Sequence, residues 1–335
     1  MIATGTATLR IGVLGVGRIG RMHADLLSRQ VPGATVAGVY DANPEAARAA
    51  DSPAFDGVDE LLAEVDAVAI CSSTETHTDL IVAEARAGKA IFCEKPISLD
   101  LAEVDRALAA VHDAGVPFQI GFNRRFDPAH AAVRDAVAGG DVGDPHLVRI
   151  SSRDPEPPPM AYVRVSGGIF LDMTIHDFDM ARFVTGSEVV EVFARGAVQI
   201  DPGFADVGDV DTALVTLVHE NGCLTAIDNS RQAVYGYDQR VEVLGSAGMA
   251  ASENPLAHTA VIRTAGGTTM SALPHFFLER YVPSYIREWE AFADALRSGG
   301  PSPVGPEEGR APLVIGLAAQ RSARERRPVL TAEIG

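Results

Sequence analysis

The sequence predicts an α/β fold with an N-terminal doubly wound parallel sheet and a C-terminal α+β domain that holds a large, open, mainly antiparallel sheet. Up to about residue 125, short apolar runs alternate with Ala-rich helical segments, and beyond it strand-like runs dominate. Apolar strands that alternate with helices are typical of a parallel sheet covered on both faces. We therefore expect one domain over residues 1–125 and a second over residues 126–335, whose last helices are expected to pack back on the first.

The elements of the first domain follow from hydrophobic patterning. Five short β-rich runs are predicted as strands: Leu9–Leu14, Thr35–Tyr40, Ala67–Cys71, Ala90–Cys93 and Phe118–Phe122. Four segments between them are predicted as helices: Ile19–Arg29, Pro44–Ala50, Thr78–Ala87 and Leu101–Ala114. The last helix repeats its apolar residues at helical spacing, which makes its assignment the clearest of the four.

The second domain begins with a helix over Pro128–Val137, for which Asp127 is the N-cap and Pro128 the first helical residue. Six strands are predicted after it: His146–Ser152, Val189–Ile200, Asp211–His219, Cys223–Ala233, Gln239–Leu244 and Thr259–Thr264. Asn221-Gly222 predicts a type I′ hairpin between the third and fourth of them. Helices over Ser284–Arg297 and Glu307–Arg324 complete the chain.

The composition argues against several classes of protein. Lys and Arg number 28 against 45 Asp and Glu, and the resulting formal net charge of −17 disfavours binding to nucleic acid. No apolar stretch approaches the ~18 residues of a membrane span, and Met1–Arg10 lacks the apolar core of a signal peptide. The three cysteines, Cys71, Cys93 and Cys223, form no CxxC pair, which argues against a disulfide framework or a zinc site. We expect a reduced, cytoplasmic protein that binds no metal.

A glycine-rich loop follows the first predicted strand. The motif Gly15-x-Gly17-x-x-Gly20, with Arg18 and Ile19 inside it, opens the first helix. In this context the glycines allow a tight turn, close approach of the backbone to a pyrophosphate and close packing of the helix. The helix N-terminus binds the phosphates. The loop predicts a Rossmann dinucleotide site, and the alternative is a tight turn without a ligand.

Asp41 ends the second predicted strand and sets the expected choice of nucleotide. Its carboxylate can accept hydrogen bonds from both ribose hydroxyls of NAD and would repel the 2′-phosphate of NADP. The next residues, Ala42-Asn43-Pro44, provide no arginine to offset that repulsion. NAD is therefore the predicted cofactor, and the alternative is that Asp41 only caps the following helix.

Two further strand ends carry polar side chains. Ser72, Ser73 and Thr74 follow the third predicted strand, and His77 comes shortly after them. Glu94-Lys95-Pro96 follows the fourth, where a charged pair suits a binding site at the carboxyl edge of the sheet. We expect these side chains to line the cofactor site, with the alternative that His77 is purely structural. The Lys95–Pro96 bond is a candidate for the cis form.

Asp172 and His176 form the candidate acid–base pair of the second domain. Their i,i+4 spacing places them on one face of a predicted helix. A carboxylate beside an imidazole fixes its tautomer and suits a general base that removes a proton from an alcohol. The alternatives are an N-cap Asp with a surface His, or two metal ligands, for which no further ligand at helical spacing is indicated beyond Asp179.

These motifs together resemble the glucose–fructose oxidoreductase/inositol dehydrogenase/MocA family over nearly the whole chain. The matching pieces are Gly15–Gly20, Glu94-Lys95-Pro96, the string Gly121–Phe126, and the segment from Gly167 to Phe183 that holds Asp172 and His176. Within the family, the Asn-Arg-Arg-Phe-Asp and Gly-Gly-Ile-Phe-x-Asp-Met-Thr-Ile-His strings are most similar to bacterial inositol 2-dehydrogenases. The resemblance implies an NAD-dependent dehydrogenase with a polyol substrate.

The resemblance also implies a role for each motif residue. Lys95 orients the reacting hydroxyl and the nicotinamide, His176 accepts the hydroxyl proton, and Asp172 positions or tunes His176. Asn123 is implied near the cofactor and Arg125 near the polyol. Weaker candidates for binding substrate hydroxyls are Asp154, Tyr235 and Tyr281, for which a surface turn and core packing are the alternatives. The open sheet of this family implies a homo-oligomer, either a dimer or a tetramer.

The expected reaction is oxidation of myo-inositol to its 2-ketone, scyllo-inosose. A scyllo-inositol dehydrogenase or an aldose 1-dehydrogenase for glucose or xylose is the first alternative. A sugar-sensing protein that binds NAD without turnover, and a glycosidase that uses NAD transiently, are alternatives from other classes. The complete set of Lys95, Asp172 and His176 argues against the sensor, because a sensor needs no general base.

Overall fold

A computed structural model describes residues 8–335, and the chain divides into two units. The first unit comprises residues up to Asn123 together with Ser284–Ala311, and the second comprises Arg124–Pro283 together with Pro312–Gly335. Each unit has its own sheet and its own hydrophobic core. No helix among residues 8–335 is long and apolar enough to cross a membrane.

The first unit is built on five parallel strands. In chain order, the elements up to Asn123 are β1 (Leu9–Leu14), α1 (Arg18–Arg29), β2 (Ala34–Tyr40), α2 (Pro44–Arg48), α3 (Val58–Leu62), β3 (Ala67–Ile70), α4 (Thr74–Arg86), β4 (Ala90–Glu94), α5 (Leu101–Ala114) and β5 (Phe118–Gly121). The strand order is β2-β1-β3-β4-β5 and every pairing is parallel, as the alternating pattern predicts. All carboxyl ends of the strands therefore lie at one edge of the sheet.

The second unit begins at Arg124, inside a 3₁₀ turn over Asn123–Phe126. In chain order, the remaining elements are α6 (Pro128–Ala138), β6 (Pro145–Arg153), α7 (Met160–Val163), α8 (Ile169–Asp172), α9 (Ile175–Thr185), β7 (Val189–Ala197), α10 (Gly203–Asp206), β8 (Thr212–His219), β9 (Leu224–Ser230), β10 (Asp238–Gly245), β11 (Met249–Ser252), β12 (Ile262–Thr264), β13 (Gly267–Thr269), α11 (Phe277–Ser298), α12 (Pro306–Glu325) and β14 (Val329–Leu330). Helices α11 and α12 each contribute residues to both units.

The large sheet of the second unit has seven strands in the order β11-β10-β6-β9-β8-β7-β14. All pairings are antiparallel except that of β6 with β9. One face packs against helices, with Val133 of α6, Phe178 of α9 and Ile315 of α12 in the shared core. Along each strand, every second residue points to the other face, which is open. Leu214 and Leu224 lie on this face and are at least half exposed. The sheet therefore has one buried and one open face.

Several predicted elements differ from the structure. The Asn221-Gly222 hairpin is present, but it is not type I′, because among the described residues only Gly222 of this pair has a positive φ. The amide of Gly222 donates to the carbonyl of His219, and that of His219 donates to the carbonyl of Cys223. This is a type I turn followed by a glycine bulge. A third loop residue, Glu220, lets the strands pair without a second left-handed residue.

The strand predicted over Val189–Ile200 ends at Ala197, because the amides after it turn to the Asp211 carboxylate. The strand predicted over Thr259–Thr264 is shortened to β12, a fully exposed hairpin arm with β13. Helix α3 and strand β11 were not predicted, since each is too short to show a periodicity.

Candidate functional site

The glycine-rich loop makes the tight turn that its spacing predicts. Gly15 has φ +88°, and a Cβ on it would lie 2.6 Å from the backbone of Ser72. A Cβ on Gly20 would lie 1.9 Å from the carbonyl oxygen of Gly15. Only glycine fits at these two positions. The loop is thereby packed directly against the end of β3, so two of the predicted cofactor segments are in contact.

Gly17 is different, because a Cβ there would meet nothing within 4 Å and its φ is −64°. It is the N-cap of α1 and lacks a side-chain cap, and both Gly17 and Arg18 are exposed. The absence of a side chain at Gly17 therefore leaves open space at a helix N-terminus, which suits a pyrophosphate. Together with the carboxylate that follows β2, this arrangement fits a dinucleotide such as NAD.

That carboxylate belongs to Asp41. Its Oδ2 accepts the amide of Val16 at 2.8 Å, and its Oδ1 accepts the amide of Asn43 at 2.8 Å. The cap of α2 is Asn43, whose side chain accepts the amide of Glu45, so Asp41 is not that helix's cap. Asp41 links the glycine loop to the end of β2, and each of its oxygens retains a lone pair for a ribose hydroxyl.

The end of β3 is held to the Glu-Lys-Pro turn by His77. Its Nδ1 lies 2.9 Å from the carbonyl oxygen of Pro96, and its Nε2 lies 3.0 Å from that of Ser72. The ring is buried, and burial lowers the pKa of His77. His77, which we expected to line the cofactor site, has both ring nitrogens within 3.0 Å of backbone carbonyl oxygens. Ser73 is at the N-cap position of α4, whose first residue is Thr74, and its side chain makes no capping hydrogen bond.

Glu94 is the last residue of β4, and Lys95 directly follows it. Glu94 Oε1 lies 2.7 Å from Nε2 of His23, and Oε2 accepts the amide of Lys95 at 3.2 Å. Lys95 is partly exposed, and the Lys95–Pro96 peptide bond is cis. The predicted charged pair therefore lies at the carboxyl edge of the parallel sheet, next to the segment that His77 anchors.

Asp172 ends α8 and is held by two side chains. Tyr162 donates its hydroxyl to Oδ1 at 2.7 Å, and Nη2 of Arg231 donates to Oδ2 at 2.9 Å. The same arginine has its Nη1 3.6 Å from Oδ2 of Asp154. Asp154, a weaker candidate from the sequence, is thus brought to the same place as Asp172 by one guanidinium.

This cluster is electrostatically unusual. Arg231 is buried, and although burial alone would lower its pKa, the carboxylates of Asp172 and Asp154 raise it. Burial raises the pKa of Asp154, with Arg231 acting in the opposite direction and Asp172 adding to the rise. Two acidic groups therefore share one buried cation, an arrangement that is typical of functional sites.

His176 is not on the same helix as Asp172, contrary to the prediction. The helical conformation is interrupted at Met173 and Thr174, between α8 and α9. His176 is the second residue of α9. The hydroxyl of Thr174 donates to Asn229 Oδ1 at 2.6 Å, and its oxygen also lies 3.1 Å from the carbonyl oxygen of Ile169. These buried bonds satisfy the helix ends locally and so stabilise the break. His176 is partly exposed.

The start of α9 is fixed by buried ion pairs. Arg124 donates to Asp177 at 2.8 Å, and Asn229 donates to the other oxygen of Asp177 at 2.7 Å. Burial raises the pKa of Asp177 to about 6, against the lowering effects of Arg124 and Asn229. Arg125, expected near the polyol, forms a two-pronged pair with Asp179 that is almost fully buried. The two arginines of the Asn-Arg-Arg-Phe string thus hold the helix that presents His176.

The remaining predicted residues are placed as follows. Tyr235 is half-exposed, and its hydroxyl donates to Asp238 at 2.7 Å and accepts from Arg153 at 2.8 Å. Tyr281 is buried, and burial raises the pKa of its hydroxyl. Asn123 is also buried. The residues from 8 to 335 hold no cluster of three or more His, Cys, Asp or Glu side chains arranged for a metal.

Sequence reasoning missed three residues of these clusters: Tyr162, Arg231 and His23. Arg231 lay inside a predicted strand, and its partner Asp172 is 59 residues away. His23 lay on the buried face of a predicted helix, 71 residues from Glu94. Only their burial would have indicated Arg231 and His23, and burial is not visible in the sequence.

Comparison with known proteins gives two family matches. Residues 9–122 match the model described as the oxidoreductase family, NAD-binding Rossmann fold. Residues 130–251 match the model described as the GFO/IDH/MocA C-terminal domain. The two matches together cover well over half of the chain.

Individual relatives extend over nearly the full length. A myo-inositol 2-dehydrogenase from Thermotoga maritima is 47% identical over 333 residues, which cover 97% of this chain and 99% of the relative. An inositol 2-dehydrogenase from Rhizobium meliloti is 46% identical over 331 residues, which cover 97% and 100%. The solved structure of scyllo-inositol dehydrogenase from Lactobacillus casei, with bound NAD(H) and scyllo-inositol, is 28% identical and superposes with a TM-score of 0.90 over 97% and 99% of the chains.

Proposed function

Because the chain belongs to the GFO/IDH/MocA family of oxidoreductases, whose first domain is an NAD-binding Rossmann fold, we propose that it oxidises a ring hydroxyl of an inositol to a ketone. The observation that carries this proposal is the Asp172 carboxylate held by Arg231 and Tyr162, four residues before His176. A carboxylate and an imidazole are groups that can accept and stabilise a proton. The near-full-length similarity to inositol 2-dehydrogenases supports the choice of substrate.

In the proposed reaction, His176 accepts the proton of the reacting hydroxyl as general base. Asp172 stabilises the imidazolium that forms, and Arg231 and Tyr162 keep Asp172 in place. Lys95 donates a hydrogen bond to the reacting oxygen and orients it. The chemistry that NAD supplies when bound is acceptance of the hydride from the substrate carbon. The glycine loop and Asp41 bind that cofactor, and Asp41 excludes the 2′-phosphate of NADP.

We propose myo-inositol as the preferred substrate, with scyllo-inositol and aldoses as the alternatives. A cyclic polyol needs several polar partners, and Asp154 is the best placed of the weaker candidates because it shares Arg231 with Asp172. Arg125, Asn123, Tyr235 and Tyr281 are weaker proposals, since Arg125 is paired with Asp179 and both Asn123 and Tyr281 are buried.

We also propose a homo-oligomer in the cytoplasm. The open face of the seven-stranded sheet exposes Leu214, Leu224 and Leu244, and an apolar surface of this kind is usually covered in an assembly. The three cysteines are free thiols, which is consistent with a reducing compartment. Sedimentation velocity would test the first of these statements.

The experiment that tests the proposed activity is NADH formation followed by its near-ultraviolet absorbance. The purified enzyme is supplied with NAD or NADP and, separately, myo-inositol, scyllo-inositol, D-glucose and D-xylose. The fastest reduction with myo-inositol and NAD is expected. A preference for an aldose would change the assigned substrate and leave the proposed oxidation mechanism unchanged. Tight NADH binding without turnover of any polyol would refute the proposal.

A further inference from the structure

A chain of hydrogen bonds inside the first unit ends at the Glu-Lys-Pro turn. The indole Nε1 of Trp289 donates to Nδ1 of His23 at 2.8 Å. Nε2 of His23 lies 2.7 Å from Oε1 of Glu94, and Oε2 of Glu94 accepts the backbone amide of Lys95. Trp289 and His23 are both 0% exposed. The chain thus runs from the buried face of α11, through α1, to the end of β4.

The tautomer of His23 follows from its partners. An indole N–H can only donate, so Nδ1 of His23 must be an acceptor. The ring hydrogen is therefore on Nε2, where it donates to Glu94. Trp289 thereby fixes which end of His23 can bind Glu94.

Two kinds of titratable group lie near this series of hydrogen bonds, a glutamate and two cysteines, and Glu94 is the group that accepts from His23. Glu288, on α11, is fully buried, and neither of its carboxyl oxygens has a hydrogen-bond partner among the described residues. Burial raises the pKa of Glu288 well above its usual range, and Glu94 raises it further. Burial likewise raises the pKa of the Cys71 and Cys93 thiols. The two oxygens of Glu94 accept the two N–H groups, from His23 and from the amide of Lys95.

We propose that His23 is a positioning residue for the dehydrogenase reaction: it holds Glu94, which in turn fixes the backbone of Lys95. This inference rests on the proposed function, because it is Lys95 that we expect to orient the reacting hydroxyl. An error of about 1 Å in such a group can cost as much as ~10²-fold in rate. On this proposal, the position of Lys95 depends on the directed hydrogen bonds of His23, and a side chain of similar shape without those bonds would not hold Glu94 in place.

Aromatic packing is the competing explanation and can be separated from the proposal. The His23 ring contacts Phe92, Tyr285 and Trp289 edge-on at centroid distances of 5.4–5.5 Å. His23→Phe keeps a ring there and removes both hydrogen bonds. His23→Gln loses the ring but keeps one acceptor and one donor, about as far apart as the ring nitrogens. If packing is what matters, phenylalanine substitutes better; if hydrogen bonding matters, glutamine does.

The test compares these two variants with the wild type and with His219→Phe. His219 is a buried histidine of the second unit whose ring bonds to Thr225 and Ser187, so it controls for the loss of any buried imidazole. We expect His23→Phe to lower kcat by ~10-fold or more, with KM and the Kd of NADH within ~3-fold. His23→Gln should recover most of kcat, and His219→Phe should keep it.

Trp289→Phe provides a second, independent test of the hydrogen-bond series. It removes the indole donor and should lower kcat by a smaller factor than His23→Phe does. In the His23→Phe background it should have almost no further effect, because its acceptor is already gone. Multiplying effects in the double variant would show that Trp289 and His23 do not act through one chain.

A last measurement does not depend on turnover. The rate at which a small amine-reactive reagent labels Lys95, read by peptide mass spectrometry without substrate, should change in His23→Phe and return in His23→Gln. The proposal is overturned if Lys95 labelling is the same in all variants, or if phenylalanine preserves kcat better than glutamine. If the wild type oxidises no polyol, the proposed function fails, and the labelling still decides the role of His23.

Discussion

Replacing Arg231 with glutamine would leave Asp172 and Asp154 close together without a cation between them. Arg231 lies 2.9 Å from Asp172 and 3.6 Å from Asp154, and its side chain is only 3% exposed. Glutamine retains one amide donor for Asp172 but no charge. The variant should therefore fold, and it should be less stable than the wild type.

The size of the loss can be worked from these distances. At an effective dielectric constant of about 20, one ion pair at the shorter distance is worth about 6 kcal/mol before desolvation. Removing one partner of a buried pair typically costs about 3–5 kcal/mol once desolvation is included. Because Asp154 is a quarter exposed, we take the lower end and expect about 3 kcal/mol at pH 8.

The loss should depend on pH with a definite sign. Burial already raises the pKa of Asp154 in the folded state, and Arg231 opposes that rise. Without Arg231 the folded-state pKa rises further, so the folded protein binds this proton more tightly than the unfolded chain does. The stability contribution of such a group is present below the unfolded pKa and is lost as pH rises through the folded pKa. The cost of Arg231→Gln should thus be smaller at pH 5 than at pH 8, by ~1 kcal/mol or more.

The assay is urea unfolding of both proteins at the two pH values, followed by circular dichroism. Arg149→Gln is the matched control, because Arg149 is two-thirds exposed and its oxygen–nitrogen distance to Glu242 is 3.7 Å. That exposed pair should contribute less than ~0.5 kcal/mol. A loss in Arg231→Gln no greater than in the control, or one that does not vary with pH, would refute the reasoning.

Four further substitutions test the proposed site. His176→Ala should lower kcat by ~10²-fold or more while the Kd of NADH stays within ~3-fold, and unchanged turnover would reject the base. Asp41→Ser should raise kcat/KM with NADP relative to NAD. It should also weaken the binding of NAD, because the carboxylate of Asp41 accepts the amides of Val16 and Asn43. An undiminished preference for NAD would contradict this. Gly17→Ala should keep the melting temperature and weaken NADH binding, whereas Gly20→Ala should lower the melting temperature by several degrees, since its Cβ meets a backbone oxygen; equal melting temperatures would contradict the loop geometry.

The regular elements of the fold were the most predictable part. Strand β1 and helix α5 have the predicted ends, because both have a strong apolar period and clear boundaries, including Gly115 as the left-handed residue that ends α5. The hairpin at Asn221-Gly222 was placed correctly, but its turn type was wrong. Turn type depends on whether the flanking residues pair, and here Glu220 enters the loop. Short elements such as α3 provide too few residues for any period to show.

The site was predictable where residues break a local rule. Asp41 and Lys95 are charged residues that directly follow strands β2 and β4 of the parallel sheet, and the glycine spacing requires a tight turn. The helix break between Asp172 and His176 was not predictable, because it depends on the bond from Thr174 to Asn229, 55 residues away. For the same reason the pairing of Arg125 with Asp179 could not be seen before the chain was folded. Contacts between distant residues carry this part of the information.

Trp289 is the single tryptophan of the chain, and it lies in the core of the first unit. It packs against Phe92 with ring centroids 4.3 Å apart. Intrinsic tryptophan emission from this protein therefore comes from a dry environment in one unit, and the second unit has no tryptophan of its own. A melt followed by emission reports on the nucleotide-binding unit, whereas circular dichroism averages over both. Recording the two signals on one sample would separate the unfolding of the units without any introduced label.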